Sequence, residues 1–173
     1  MSVTPQFRFE ILDPAIHRRE KFSCESPELT DFLRTRARKE AKSRTSACFV
    51  LVPVTDPGEI VGYYTLSATS VELEKLPVEL TKKLPRYPRL PATLLGRLAT
   101  DLSARGVGLG RFLLVDAMVR AVRSEIASFA FIVDAKDEAA AGFYERESFI
   151  RMPDQASRLM RRMDDIAAVL GEH

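Results

Sequence analysis

Histidine is almost missing from this chain: His17 and His173 are the only two in 173 residues. Cysteine is as scarce, with Cys24 and Cys48 alone, and tryptophan is absent. Neither residue type recurs at a spacing that suits a metal, so no zinc site and no histidine-based triad are expected. Two unclustered thiols point to a reducing, cytoplasmic setting. No apolar run approaches the roughly 20 residues needed to span a bilayer, so no membrane contact is expected. Met1-Ser2-Val3-Thr4-Pro5 does not open a basic segment followed by an apolar one, so no secretory leader is expected either. Charge of one sign is also lacking: 26 Lys and Arg face 24 Asp and Glu, a net of +2. Bulk charge therefore names no partner class. Apolar residues are plentiful at 46%, and 173 residues suit one folded domain over 1–173.

Hydrophobic periodicity gives the elements in outline. Phe7, Phe9 and Ile11 alternate with charge as a short strand does. Ser26-Pro27-Glu28 reads as a helix start, with an N-cap serine and proline in the first turn. Leu29, Phe32, Leu33 and Ala37 follow at helical spacing. Residues 47–52 and 60–71 read as strands joined through Asp56-Pro57-Gly58-Glu59, with Gly62 marking a bulge or a close approach. Pro77, Pro85, Pro88 and Pro91 punctuate a long irregular segment, and such segments are often functional. A strand over 92–100, a helix to about Arg123 and a buried strand over 129–135 form a parallel β-α-β step, which the handedness rule makes right-handed. On that helix Leu109, Phe112, Leu113, Val115, Val119 and Val122 are expected to face the core, with Asp116, Arg120 and Arg123 facing water. Asp137 is expected to cap a short helix, residues 158–163 to form a last strand, and Asp164 or Asp165 to cap a final helical turn. The fold class is α/β, or α+β: a mixed sheet with antiparallel early strands and one parallel step.

The step carries the chemistry. Arg105-Gly106-Val107-Gly108-Leu109-Gly110 stands between strand and helix, with three glycines in five residues. Such a loop turns its amides toward one point, and the helix adds its own unpaired N–H groups and dipole. That is a pyrophosphate cradle. It is not a Walker A loop, because Arg111-Phe112 follows Gly110 where Lys-Ser or Lys-Thr is required. Nor is it the G-x-G-x-x-G of dinucleotide folds.

Two basic clusters stand out from the neutral background. Six cations (Arg34, Arg36, Arg38, Lys39, Lys42, Arg44) lie between Asp31 and Arg44 against two acids. Lys82, Lys83, Arg86, Arg89 and Arg97 follow one another with no acid between them. Each is either a solvated face or a stripe for a polyanion.

Arg105, Gly108 and Gly110 in Arg-x-x-Gly-x-Gly resemble the acetyl-CoA loop of the GNAT superfamily of N-acetyltransferases. Asp137, Ala140, Phe143 and Tyr144 are similar to the Asn-x-x-Ala-x-x-Phe-Tyr helix of that superfamily. Aspartate stands here for asparagine, and Ser148 for the glycine that commonly precedes the final phenylalanine, Phe149. Four blocks within residues 22–149 resemble more narrowly the GNAT toxins of type II toxin–antitoxin pairs. They are Phe22-Ser23-Cys24-Glu25, Leu29-Thr30-Asp31-Phe32-Leu33, Ile60-Val61-Gly62-Tyr63-Tyr64-Thr65-Leu66-Ser67 and Leu95-Gly96-Arg97-Leu98-Ala99-Thr100-Asp101. Glu25 departs from a glycine in the first block.

The resemblance implies the GNAT fold, acetyl-CoA as the acetyl donor and the α-amine of aminoacyl-tRNA as acceptor, with translation blocked as the result. It implies a ribbon–helix–helix antitoxin as partner, DNA contact only through that complex, and a homodimer. By the same resemblance, amides of Leu98, Ala99 and Thr100 hold the acetyl carbonyl and pantetheine. Gly106, Val107, Gly108, Leu109 and Gly110 hold the pyrophosphate, with Arg105 and Arg111 adding charge. Tyr144 is the expected general acid, since a phenol of pKa about 10 keeps its proton at neutral pH. Arg34, Arg36, Arg38, Lys39, Lys42, Lys82, Lys83, Arg86, Arg89 and Arg97 are the expected tRNA contacts. The strands over 60–71 and 92–100 carry no glutamate or histidine to serve as base, and Asp101 comes only at a strand end. That absence favours an amine already partly neutral at pH 7, as an α-amine of pKa about 8 is, over a lysine side chain. A GNAT acting on a small amine or a protein N-terminus, and a non-catalytic CoA-binding module, are the competing expectations.

Overall fold

In the computed structural model of the chain, residues 6–153 and 155–171 are described; Met1–Pro5 and His173 lie outside them. In chain order the elements are β1 (Phe7–Ile11), α1 (Pro27–Asp31), a π-helical turn (Phe32–Arg36), α2 (Ala37–Ser43), β2 (Ala47–Pro53), β3 (Gly62–Glu72), α3 (Val78–Thr81) and β4 (Arg89–Thr100). They continue with α4 (Leu109–Val122), β5 (Ala130–Asp134), α5 (Glu138–Arg146), β6 (Ile150–Met152), β7 (Gln155–Arg162) and α6 (Met163–Leu170). The seven strands form one sheet in the order β1-β2-β3-β4-β5-β7-β6. β1, β2 and β3 pair antiparallel, β4 pairs parallel with β5 across α4, and β7 runs antiparallel to both β5 and β6. The mixed sheet with one parallel step is thus as the sequence implied.

The chain divides into two compact units, one taking it up to Ser67 together with Arg97–Ala117, the other Ala68–Gly96 and everything from Met118 on. In the first unit the core gathers Leu12, Phe22, Phe32, Leu33, Val50, Ile60 and Tyr63. Ser26 begins α1 as expected, its side chain accepting from the Leu29 amide. The helix does not then run evenly. The Ala37 amide bonds back to Phe32 O, five residues away, so one extra residue is fitted into the turn. Phe32, Leu33 and Ala37 all reach the core by this means. The cost is that Arg34 is not stacked above Arg38 and Lys42 as a uniform helix would have it. In the same unit β3 passes close to its neighbours at Gly62, where a Cβ would come within 3.0 Å of the Leu113 side chain and 3.3 Å of Ala99 O. Close approach, not a bulge, explains that glycine.

In the second unit Val71, Leu76, Leu90, Ala92, Ala130, Ile132 and Met160 pack together. The proline-punctuated segment holds a single short helix, α3, and gives way to β4 three residues before the expected strand start. Asp137 caps α5, its carboxylate accepting from the Ala140 amide at 2.8 Å. Ser148 occupies the turn after α5 with φ +70°, left-handed space that a glycine would enter without the cost of a Cβ, about 1–2 kcal/mol. The turn keeps its shape regardless, because the Phe149 amide bonds to Tyr144 O at 3.1 Å and the Phe149 ring packs on Phe131.

Two expectations need correction. α4 buries Leu109, Leu113, Leu114, Ala117, Met118 and Ala121, while Phe112 is 45% exposed and Val115, Val119 and Val122 are only half-buried. Asp116 is half-buried and receives the hydroxyl of buried Tyr64, so it does not simply face water. α6 starts directly at the end of β7, with Arg162 at the cap position and Asp164 and Asp165 inside the first turn, where acids favour the helix dipole without capping it.

Candidate active site

The end of β4 and the start of α4 make the cradle, both within the first unit. Asp101 ends the strand and organises the turn beyond it. Its carboxylate accepts from the Ser23 amide at 2.9 Å, the Ser103 amide at 3.0 Å and the Ser103 hydroxyl at 2.7 Å. The Asp101 amide in turn donates to Val61 O, and the Leu102 amide to Ser23 O. A carboxylate so committed is a brace and not a base. The sequence offered Asp101 only as a distant acid; its capping of residues 102–104 was readable from Asp-x-Ser, and its tie to Ser23 was not.

Beyond the brace, Gly106 and Gly108 sit at φ +78° and +76°. L side chains are strained there, and alternating glycines of this kind turn successive amides to one side. α4 then begins at Leu109, and the Phe112 amide is bonded to Gly108 O at 3.2 Å. The amides before it have no carbonyl a turn back within the helix, so they point outward from the N-terminus. A Cβ built on Gly106, Gly108 or Gly110 would meet nothing within 4 Å. Leu109 is buried and anchors the loop, while Val107 and Arg111 stand exposed. The cradle is therefore open, made of backbone donors, and sized by the absence of side chains, which fits a pyrophosphate.

Gly110 sharpens that fit. It lies inside α4 with ordinary helical backbone, where glycine in place of alanine costs up to about 1 kcal/mol. Among the described residues nothing comes within 4 Å of the Cβ that an alanine would add, so the position is open on the side where a pyrophosphate is expected. Gly110→Ala is expected to leave the melting temperature equal or higher and to weaken acetyl-CoA binding about tenfold by calorimetry, the effect of about 1.4 kcal/mol of lost contact. Unchanged affinity in a stable variant would remove Gly110 from the cradle.

Along β4, Ala99 is buried in the first unit's core and Leu98 and Thr100 are half-buried. Side chains at 98 and 100 share a face, as strand alternation requires. Arg105, expected to add charge at the cradle, pairs with Glu25 at 2.7 Å, both ends more than half exposed. So exposed a pair is weak and leaves the guanidinium able to turn to a phosphate. The Glu25 departure from the toxin pattern thus has a partner in the loop itself.

The basic residues of the first unit separate into two sets. Arg34 donates through Nε and Nη2 to Phe22 O at 3.0 and 2.7 Å. Arg97 lies over the Phe32 ring at 3.6 Å and within 3.7 Å of Glu40, with Arg36 over the same ring at 5.2 Å. Arg34 and Arg97 hold the helix against its neighbours, while Arg36 stands exposed over a ring of its own segment. Arg38, Lys39 and Lys42 are exposed and form no ion pair among the described residues. Lys82, Lys83, Arg86 and Arg89 are exposed in the second unit.

Tyr144 belongs to the second unit. Its residue is 6% exposed, with ring centroids 5.1 Å from Phe143 and 5.7 Å from Phe149. Burial, and after it the Asp134 carboxylate, raise its pKa well above that of a free phenol. Asp134 is held by Arg158 through two bonds of 2.8 and 3.0 Å. Among the described residues there is no cluster of His, Cys, Asp and Glu suited to a metal, and no helix long and apolar enough to cross a membrane.

The family model described as the acetyltransferase (GNAT) family matches residues 14–149. The chain belongs to that family. It is 35% identical over 153 residues, 87% of this chain and 89% of the other, to a tRNA-acetylating toxin of Mycobacterium tuberculosis (strain ATCC 25618 / H37Rv). Among solved structures it is similar to AtaT complexed with acetyl-methionyl-tRNAfMet, with a TM-score of 0.87 and 28% identity, covering 95% of this chain and 99% of that one. It is also similar to AtaTR bound with AcCoA, with a TM-score of 0.81 and 25% identity over 95% and 98% of the two chains. This GNAT chain thus combines the family's fold with an open glycine cradle and a buried tyrosine whose pKa is raised by its surroundings.

Proposed function

We propose that this GNAT chain is a toxin that transfers acetyl from acetyl-CoA to the α-amino group of aminoacyl-tRNA and so stops translation. The observation that carries the acceptor is the 35% identity, over most of both chains, to a protein named tRNA-acetylating toxin. Support for the donor comes from the open cradle and from a similar structure bound with AcCoA.

In this reading the whole chain works as one catalytic domain. Amides of Leu98 to Thr100 hold the acetyl carbonyl and the pantetheine arm. Those of Gly106 to Gly110 hold the pyrophosphate, and Arg105 and Arg111 complement its charge. Acetyl-CoA supplies a thioester, an acyl group with a good leaving sulfur. An amide aimed at the acetyl oxygen stabilises the charge that grows there as the amine attacks. Tyr144 Oη donates its proton to the departing sulfur. Arg36, Arg38, Lys39, Lys42, Lys82, Lys83, Arg86 and Arg89 meet tRNA phosphates, while Arg34 and Arg97 set the position of the helical segment that presents the first four. A ribbon–helix–helix antitoxin as partner, contact with DNA only through it, a homodimer and a cytoplasmic site of action complete the reading; their support is the resemblance to GNAT toxins.

The test is transfer of radiolabelled acetyl from acetyl-CoA to total charged tRNA, beside the same tRNA deacylated. Label is expected only on the charged pool, released by ester hydrolysis as an N-acetyl amino acid. Label on neither pool, from protein that binds acetyl-CoA, would assign the enzyme to a small amine or a protein N-terminus.

A further inference from the structure

Within the second unit, the proline-punctuated segment folds around a cavity of about 670 Å³. That is the size of a site for one small organic group, commonly about 300–1,000 Å³. Leu76 lies at its apolar side, and Tyr87 stands at its edge 65% exposed. Lys82, Arg86 and Arg89 line it as well, and so does Glu74. A neighbouring carboxylate, Glu72, is engaged by Lys75 at 3.4 Å. Glu74 forms no ion pair among the described residues. An exposed tyrosine among three cations is not required by packing: the core of this unit closes on Leu76, Leu90 and Ala92 without it.

The combination suits an unpaired nucleotide. An aromatic face stacks a base, cations beside it meet the flanking phosphates, and a carboxylate accepts from an exocyclic amine. Cytosine and adenine carry such an amine on the pairing edge. The unpaired 3′ end of a tRNA, C-C-A, holds only those two bases. An acidic peptide would set its carboxylates against Glu74 and leave the ring without a planar partner. We propose that this cavity is a nucleotide subsite, in which Tyr87 stacks an unpaired base of the acceptor end while Lys82, Arg86 and Arg89 hold the adjoining phosphates. The proposal rests on the tRNA reading above and adds to it a stacking contact that charge alone does not supply.

The absence of tryptophan makes the test direct. Tyr87→Trp places the only indole of the protein at an exposed position. A short single-stranded RNA ending in C-C-A is expected to quench its fluorescence saturably. Free CoA, which is also a nucleotide, and a glutamate-rich peptide are expected to leave it unchanged. Quenching by CoA or by the peptide in preference to the RNA, or none by the RNA, would overturn the subsite. In parallel, Tyr87→Ala is expected to raise KM for charged tRNA about tenfold, the effect of one lost base stack, with the loss on KM and not on kcat. Tyr87→Phe, which keeps the ring, is expected to restore it. Charged tRNA acetylated by Tyr87→Ala with unaltered KM would remove the subsite and leave the acceptor standing. Charged tRNA left unlabelled by the wild-type enzyme would remove the acceptor and the subsite with it.

Discussion

Tyr144→Phe is expected to lower kcat for acetyl transfer by about 100-fold or more, the range that a positioned general acid contributes. The change removes one oxygen from a ring packed between Phe143 and Phe149, so the ring packing and the α5 turn are kept. Acetyl-CoA affinity is expected to be retained, since the cradle is built from loop and helix amides. Single-turnover kinetics separate the two quantities. A variant with full rate would show that the phenol only packs, and growth arrest on its expression would say the same in cells.

The state of the proton is set by the surroundings of the ring. Burial disfavours the phenolate, and the Asp134 carboxylate disfavours it further, so the pKa rises. A raised pKa on an acid extends the donor form to higher pH. No alkaline loss of kcat from Tyr144 is therefore expected below the usual phenol value of about 10. The acceptor amine has the opposite sign, for it attacks only when neutral. kcat/KM is expected to climb with pH and level off above the amine's pKa, about 8 for an ordinary α-amine. Stopped assays across pH 6–10 would check this. A bell falling between pH 8 and 10 would mean that another acid, or a Tyr144 far more solvated than its packing indicates, donates the proton.

Local signals in the sequence foretold local structure well. Ser26-Pro27 and Asp137 both cap, because a cap depends on a side chain and an amide three residues on. The glycine loop was legible for the same reason: left-handed φ at Gly106 and Gly108 is a property of the residues themselves. On α4 the reading was right for Leu109 and Leu113 and wrong for Phe112, Val115, Val119 and Val122, because the helix is apolar almost all round. Leu114, Ala117, Met118 and Ala121 join those two leucines in the interior, in place of the bulky Val115 and Val119. The π turn was invisible, since its cause is that Phe32, Leu33 and Ala37 must all be buried against partners far away in sequence. Arg34 and Arg97 looked like any other surface cations for the same reason. Their partners, Phe22 O, the Phe32 ring and Glu40, come together only in the fold. β6, three residues long, has no periodicity to detect.

That sorting of the cations sets the other large expected effect. Neutralising Arg38, Lys39 and Lys42 together is expected to weaken binding of tRNA, charged or not, and to flatten its salt dependence. Each phosphate contact contributes a slope of about −0.7 to −0.9 in log K against log salt, so three lost contacts remove between about 2 and 3 from the slope. Near 0.1 M salt the affinity falls by about 100-fold, and less as salt rises. Sequence preference among tRNAs is expected to survive, because phosphates carry none of it. Arg34→Gln is the contrast. It deletes the two bonds to Phe22 O in a half-buried setting, so its effect is expected on the melting temperature and not on the salt slope. Filter binding over a salt series, beside thermal melts, distinguishes them. A triple variant with the wild-type slope would place the tRNA elsewhere, and an Arg34 variant with a reduced slope and unchanged melting would return that residue to the phosphate contacts.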